Sequence, residues 1–268
     1  MTKDTGLMEN RLYVIVGASR GLGASLVSKY LKAGQNVVGI GRTNRGAIEG
    51  MTTWNKTGRF RYVQADVGDP KCVNTLRAIT EGCNGRPLCV IFNAAVIESD
   101  VGPEGSLKFD VFKRVNYTGI DGLCHVLEAF SEYLTTNGDM LVGISSFSAW
   151  VPPVRGNKVA YPASKAYLDM LLRSLRFLWN KRVHIMTVHL GHLGPGGSGS
   201  WFVTDYDMVA ERVTKATLHA HPPEDICMPA LYSIAYRILK MIPDRVGAGA
   251  IELMKGLLDR TLPGKTQV

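Results

Sequence analysis

Leu12-Tyr13-Val14-Ile15-Val16-Gly17-Ala18-Ser19-Arg20-Gly21-Leu22-Gly23 decides the fold. Its first five residues are apolar and largely β-branched, as in a strand covered on both faces. The glycines end that run where a helical pattern, Leu22 to Ala33, begins. A glycine turn between strand and helix lets a phosphate approach bare backbone N–H groups at the positive end of the helix dipole. A turn kept only for tight packing is the competing reading, and the order of strand, turn and helix argues against it.

The rest of the chain repeats that rhythm. Asn36 to Ile40, Phe60 to Gln64, Leu88 to Phe92, Met140 to Ile144 and Val183 to Leu190 read as further buried strands. Cys72 to Thr80, Phe109 to Leu134 and Ala163 to Trp179 read as helices, the second broken near Gly119 or Gly122. Such alternation predicts an α/β fold, a doubly wound parallel sheet (Rossmann) in a single domain, with ligands beyond the carboxyl ends of the strands. The 268 residues suit one such domain.

The end of the second strand bears on the cofactor. Val37-Val38-Gly39-Ile40 runs into Gly41-Arg42-Thr43-Asn44, without the acidic residue that would bond a free ribose hydroxyl and repel a 2′-phosphate. Arg42 and the turn residue Arg20 would instead take that phosphate through charge-assisted hydrogen bonds, which favours NADP(H). Arg45 reads as a solvated surface residue, the ordinary alternative for Arg42 as well.

Tyr161-Pro162-Ala163-Ser164-Lys165 places a phenol and an ammonium one helical turn apart on one face. A neighbouring ammonium favours phenolate and brings a poor base toward its working range, so Tyr161 would exchange a proton with a carbonyl or alcohol oxygen. Tyr236 to Lys240 repeats the spacing, but no serine-bearing strand lies closely upstream; Ser145 and Ser146 end the strand before Tyr161.

In this combination and order the motifs resemble the short-chain dehydrogenases/reductases. The likeness covers roughly residues 11 to 195: Gly17, Gly21 and Gly23, Asp66-Val67, Asn93-Ala94-Ala95, Val115-Asn116, Ile144-Ser145-Ser146 and Tyr161 to Lys165. The resemblance implies that Gly17, Ser19, Arg20, Gly21, Leu22 and Gly23 hold the dinucleotide with Arg42. It implies that Asp66 and Val67 hold the adenine and that Asn93, Ala94 and Ala95 support the ribose. Lys165 would bond the nicotinamide ribose and lower the pKa of Tyr161, Ser146 would orient the substrate oxygen, and Asn116 would serve proton relay. Plainer roles stand beside these: Asp66 as a helix N-cap, Asn93 as a turn former, Asn116 as a partner of neighbouring backbone, Ser145 as a structural turn residue.

Three departures qualify the resemblance. The Ser146 to Tyr161 interval is two residues longer than is usual, which brings Ser148 into question, although the strand end favours Ser146. The stretch Leu190-Gly191-His192-Leu193-Gly194-Pro195 lacks the usual threonine, leaving backbone at Gly191 and Leu193 for the nicotinamide. The C-terminus is expected to lack the family's final strand and to form a helical extension over residues 223–263. Residues 191–222 read as a substrate lid, with Trp150, Trp201 and Phe202 lining an apolar pocket; His192 either points into it or, as is commoner for a lone loop histidine, lies at the surface.

Composition narrows the rest. With 46% hydrophobic and 20% charged residues the chain is neither disordered nor a coiled coil. The formal charge of +8 admits nucleic acid, an anionic membrane or a phosphorylated ligand. No basic-aromatic module supports nucleic acid, and no metal-ligand spacing is present. Met1 to Asn10 has no signal-peptide apolar region, and five scattered cysteines suggest buried thiols in a reducing cytosol, hence a cytoplasmic protein. The expected partners are a small-molecule carbonyl or alcohol substrate and a second copy, as homodimer or homotetramer, with peripheral membrane contact through the C-terminal helices as a further option. The reading that results is an NADPH-dependent carbonyl reductase, with a non-catalytic NADP-binding regulatory protein as the alternative.

Overall fold

The structure is a computed structural model that describes residues 11–48, 50–137, 139–151, 156–195 and 203–230, together with 234, 237, 238 and 241. Trp201, Phe202, Tyr236, Lys240 and most of the expected C-terminal extension lie outside the described residues.

Alternation along the strands builds the core. In β1 (Leu12–Val16), Tyr13 and Ile15 enter one apolar layer and Val14 and Val16 the other. In β5 (Met140–Ser146), Met140, Val142 and Ile144 join the first layer and Leu141 the second. A sheet buried on both faces needs helices on both sides, and the crossovers supply them. The first layer is covered by α1 (Gly21–Lys32), by the short α2 (Met51–Asn55) and by α7 (Tyr206–Thr217). The second is covered by α3 (Cys72–Glu81), α5 (Gly122–Asn137) and α6 (Ala160–Trp179).

Seven parallel strands run in the order β3-β2-β1-β4-β5-β6-β9, with β2 at Asn36–Gly41, β3 at Phe60–Gln64, β4 at Leu88–Phe92, β6 at His184–Leu190 and β9 at Asp225–Met228. The order reverses between β1 and β4, which opens a crevice at their carboxyl ends. The long helix breaks where its glycines suggested: α4 (Phe109–Asn116) passes through a π turn, Tyr117–Asp121, into α5.

Three expectations are corrected. The final strand is present: β9 pairs with β6 from Thr187↔Asp225 to Leu190↔Met228, so the helical extension does not begin at residue 223. Four residues sufficed because the uncovered edge of β6 needed a partner, and so short a run carries little periodic signal. The supposed lid contains α7, whose Val209, Ala210 and Val213 are buried against α1, and a small parallel pair of β7 (His192–Gly194) with β8 (Val203–Asp205). Among the cysteines Cys72, Cys83 and Cys89 are buried, but Cys124 is exposed and Cys227 half-buried.

Candidate active site

The glycine turn lies at the strand-order reversal. Gly17 sits at φ +86°, where a side chain is strained, and a Cβ there would stand 2.9 Å from Cα and N of Ala94. A Cβ on Gly23 would fall 1.9 Å from the Gly17 carbonyl oxygen. Asn93 donates from Nδ2 to that same oxygen at 3.0 Å, tying the ends of β1 and β4 together across the crevice. Arg20, exposed and extended, precedes α1, whose first turn has neither a side-chain cap nor an acidic residue. These features fit a dinucleotide pyrophosphate, because N–H groups free of side-chain acceptors meet a cradle that Cβ atoms would fill. Leu22 is buried in the core, so its contribution there is backbone.

Ser19 and Arg42 follow the carboxyl ends of β1 and β2. Thr43 donates from its hydroxyl to Ser19 Oγ at 3.2 Å, and Tyr62 fixes the loop by donating to the Thr43 carbonyl at 2.9 Å. The half-exposed Arg42 guanidinium lies 4.0 Å from Asp66 Oδ2. Asp66 is not the helix N-cap: its Oδ1 accepts from Gly68 N at 3.1 Å, and Lys71 precedes α3. Val67 is buried, and its carbonyl accepts from His125 Nδ1 at 2.7 Å. Ala94 and Ala95 follow β4, half-buried beside the turn.

The catalytic candidates converge at the end of β5. Gly143 lets α6 press onto the sheet, since a Cβ there would stand 2.4 Å from Leu172 Cδ1. Asp100, fully buried, caps α6 by accepting from Val159 N at 2.8 Å and Ala160 N at 2.6 Å. Thus seated, Lys165 is 4% exposed and donates from Nζ to the Ile144 carbonyl at 2.7 Å. Burial lowers its pKa to about 8, opposed by the charge of Asp169.

Ser146 stands beside the Tyr161 phenol and opposes the effect of burial on its pKa. Ser148 donates to Ser146 Oγ from its backbone N at 3.2 Å and its hydroxyl at 2.9 Å, which leaves the Ser146 proton for Tyr161. Both serines are therefore present, Ser146 against the phenol and Ser148 behind it. The net lowering of the Tyr161 pKa expected from Lys165 is not found: burial raises it, opposed by Ser146. The physical reason is that the lysine nitrogen is turned to Ile144 and lies 5.7 Å from the ring centroid. Asn116 ends α4 just before the π turn, and its Oδ1 is buried without a partner among the described residues. Ser145 is likewise buried with an unpartnered hydroxyl.

Other residues fall elsewhere. Gly191 N bonds the Met228 carbonyl at 2.9 Å, Leu193 pairs with Thr204, and His192 is exposed. Trp150 donates from Nε1 to Asp169 at 2.9 Å, and its ring lies 4.3 Å from that of His189. Sequence reasoning missed Thr43, Asp100, Asp169 and Tyr206, whose ring stands 3.6 Å from a Cβ on Gly21. Only Asp169 left a signal, repeating the four-residue spacing of Tyr161 and Lys165.

Comparison with known proteins agrees with this arrangement. The short chain dehydrogenase family model matches residues 11–200. A short-chain dehydrogenase/reductase of Aspergillus versicolor is 27% identical over 200 residues, covering 70% of this chain and 67% of its own length. An NADP-dependent (R)-specific alcohol dehydrogenase of Lentilactobacillus kefiri is 23% identical over 238 residues, 85% of this chain and 90% of that one. The closed form of a serine dehydrogenase complexed with NADP+ shares the fold, with a TM-score of 0.68 and 19% identity over 81% of this chain and 93% of that one. With its glycine cradle, its Ser, Tyr and Lys at the end of β5, and a family match over most of its length, the chain belongs to the short-chain dehydrogenases, NAD(P)-dependent oxidoreductases of alcohol and carbonyl groups.

Proposed function

We propose that the protein is an NADPH-dependent carbonyl reductase that converts a ketone to a secondary alcohol. The observation that carries this reading is the convergence of the hydrogen-bonded Ser148–Ser146 pair, Tyr161 and the buried Lys165 at the end of β5. Tyr161, kept protonated by burial, is suited to act as the acid that protonates the carbonyl oxygen. Ser146 orients that oxygen, its own hydroxyl held by Ser148. Lys165, as ammonium, stabilises the phenolate that Tyr161 leaves. Asn116, with its unpartnered Oδ1, is placed to pass the returning proton.

The backbone from Gly17 and Ser19 through Gly23 would hold the pyrophosphate, Asp66, Val67 and Asn93 to Ala95 the adenosine, and Tyr161, Lys165, Gly191 and Leu193 the nicotinamide end. When bound, the dinucleotide supplies a hydride to the carbonyl carbon. NADP is favoured over NAD because Arg42 and Arg20 would answer a 2′-phosphate, with the Ser19–Thr43 pair at the end of β2, and no acidic residue ends that strand. The Lentilactobacillus kefiri relative is itself NADP-dependent. A second copy would pack on the apolar outer stripe of α6, where Tyr167, Met170, Phe177 and Leu178 are exposed.

A panel of ketones assayed by loss of NADPH absorbance tests the reading, with one alcohol formed per NADPH consumed as the expected result. Equal rates and affinities with NADH would contradict the cofactor assignment. Consumption of NADPH without alcohol would contradict the reaction.

A further inference from the structure

Asp169 lies one helical turn beyond Lys165 and two beyond Tyr161 on the face of α6 that meets the sheet. It is 7% exposed, as deeply placed as few carboxylates are unless a cation answers them. Its Oδ2 accepts from Trp150 Nε1 at 2.9 Å and lies 3.5 Å from His189 Nδ1, whereas its Oδ1 has no hydrogen-bond partner among the described residues. Such a carboxylate is held by one edge and leaves the other uncompensated.

The neighbours account for the holding. His189 of β6 is buried, and its Nε2 stands 3.4 Å from Asp225 Oδ1, the carboxylate that opens β9. Asp225 is gripped by Arg176 at 3.1 Å and 3.4 Å, which with the His189 bond keeps its pKa near 2. Arg176 is anchored in turn on Thr187 Oγ1 at 2.9 Å. The Arg237 guanidinium covers Trp150 from the far side, 5.5 Å from its ring. Asp225 and Arg176 answer each other, and the buried cation one helical turn from Asp169 on the same face is Lys165, whose charged form Asp169 favours from beyond ion-pair distance. Among the described residues the ionisable side chains near the pair are Tyr161 and His189, with Asp225 behind His189 and Arg237 over Trp150; β5 brings Ser145 and Ser146, α4 brings Asn116, and Glu224 and the Asp110–Arg114–Glu98 cluster are exposed.

We propose that Asp169 is a positioning residue for the reaction: braced by Trp150 and the His189–Asp225–Arg176 chain, its carboxylate keeps Lys165 in the ammonium form that Tyr161 requires. The proposal rests on the reading of Tyr161 and Lys165 as the catalytic pair. It extends that pair to a column of three residues, Tyr161, Lys165 and Asp169, with the third acting through the second. Burial alone would drive the lysine toward neutrality, and Asp169 is the charge that opposes it.

The test is the titration of Lys165 itself in the full chain, followed through its side-chain NMR resonance and assigned by its loss in Lys165→Met. The wild-type midpoint is expected at about 8. Asp169→Asn should lower it by roughly one to three pH units, Asp169→Ser, which leaves room for water, should do the same, and Asp169→Glu should restore it. In turnover the high-pH limb of kcat should move down equally, costing about five-fold at pH 8 for a displacement of one pH unit and about fifty-fold for two, with KM unchanged. An unmoved midpoint in the uncharged variants overturns the proposal whether or not the enzyme turns over. A moved midpoint with a uniform loss of kcat across pH overturns it too, because Asp169 would then be structural. Failure of the catalytic pair shows differently: Tyr161→Phe would retain turnover while the Lys165 midpoint still responded to Asp169.

Discussion

At the scale of single residues, the site depends on how burial sets protonation. Lys165 loses its proton at about 8 rather than in the ordinary lysine range, because the ammonium is desolvated. The sign follows directly: the ammonium is present below pH 8 and lost above it, so ketone reduction should decline as pH rises through 8, which a kcat profile would record. The two serines separate by role. Ser146→Ala removes the hydroxyl beside Tyr161 and should cost about 10²–10³ in kcat, whereas Ser148→Ala should cost only several-fold, both read by steady-state kinetics. Tyr161, Lys165 and Ser146 were legible in sequence because chemistry at four-residue spacing and at a strand end is local. The direction of the Tyr161 shift was not, since burial and the turn of the lysine toward Ile144 arise only when α6 is seated on the sheet.

At the scale of elements, α6 is the part that must be placed accurately. Asp100 holds its first turn through two charge-assisted bonds, and Gly143 permits its approach to β5. Asp100→Ala should destabilise the protein by about 3 kcal/mol, seen in denaturant unfolding, and lower kcat more than substrate affinity because Tyr161 sits in that turn. The strands β1, β3 and β4 coincide with the apolar runs read from sequence, and the break in the long helix is the π turn Tyr117–Asp121, which contains Gly119 and ends just before Gly122. What escaped was set by distant partners. Asp100 reaches α6 across 59 positions, and β9 owes its conformation to the open edge of β6. The helix α7 was hidden in a stretch rich in polar residues, where α1 provides its apolar surface and Lys29 its ion pairs with Asp207 and Glu211.

For the whole molecule, the doubly wound sheet accounts for where the chemistry lies and for a cost at the opposite end. The carboxyl ends of β1, β4 and β5 carry the glycine cradle, Asn93 and the serines, while Asp139, next to the amino end of β5, is buried with its pKa pushed up to about 6. Its folded form binds the proton more tightly than the unfolded chain, so stability falls as pH rises from the unfolded carboxylate value through 6. Asp139→Asn removes that deficit and should raise Tm by ~2–4 °C at pH 8 but leave it little changed near pH 4. The fold as a whole was legible because repeated strand and helix runs are its signature, and the +8 charge now has partial use in Arg20, Arg42 and Lys165. The claim on which the rest depends is that Tyr161 is the acid of a reduction carried out with bound NADPH. Tyr161→Phe, assayed for ketone turnover and separately for NADPH binding by direct titration, tests it most directly. Binding unchanged with turnover reduced about 10²–10⁴-fold is the predicted result; turnover within a few-fold of the wild type would contradict the account.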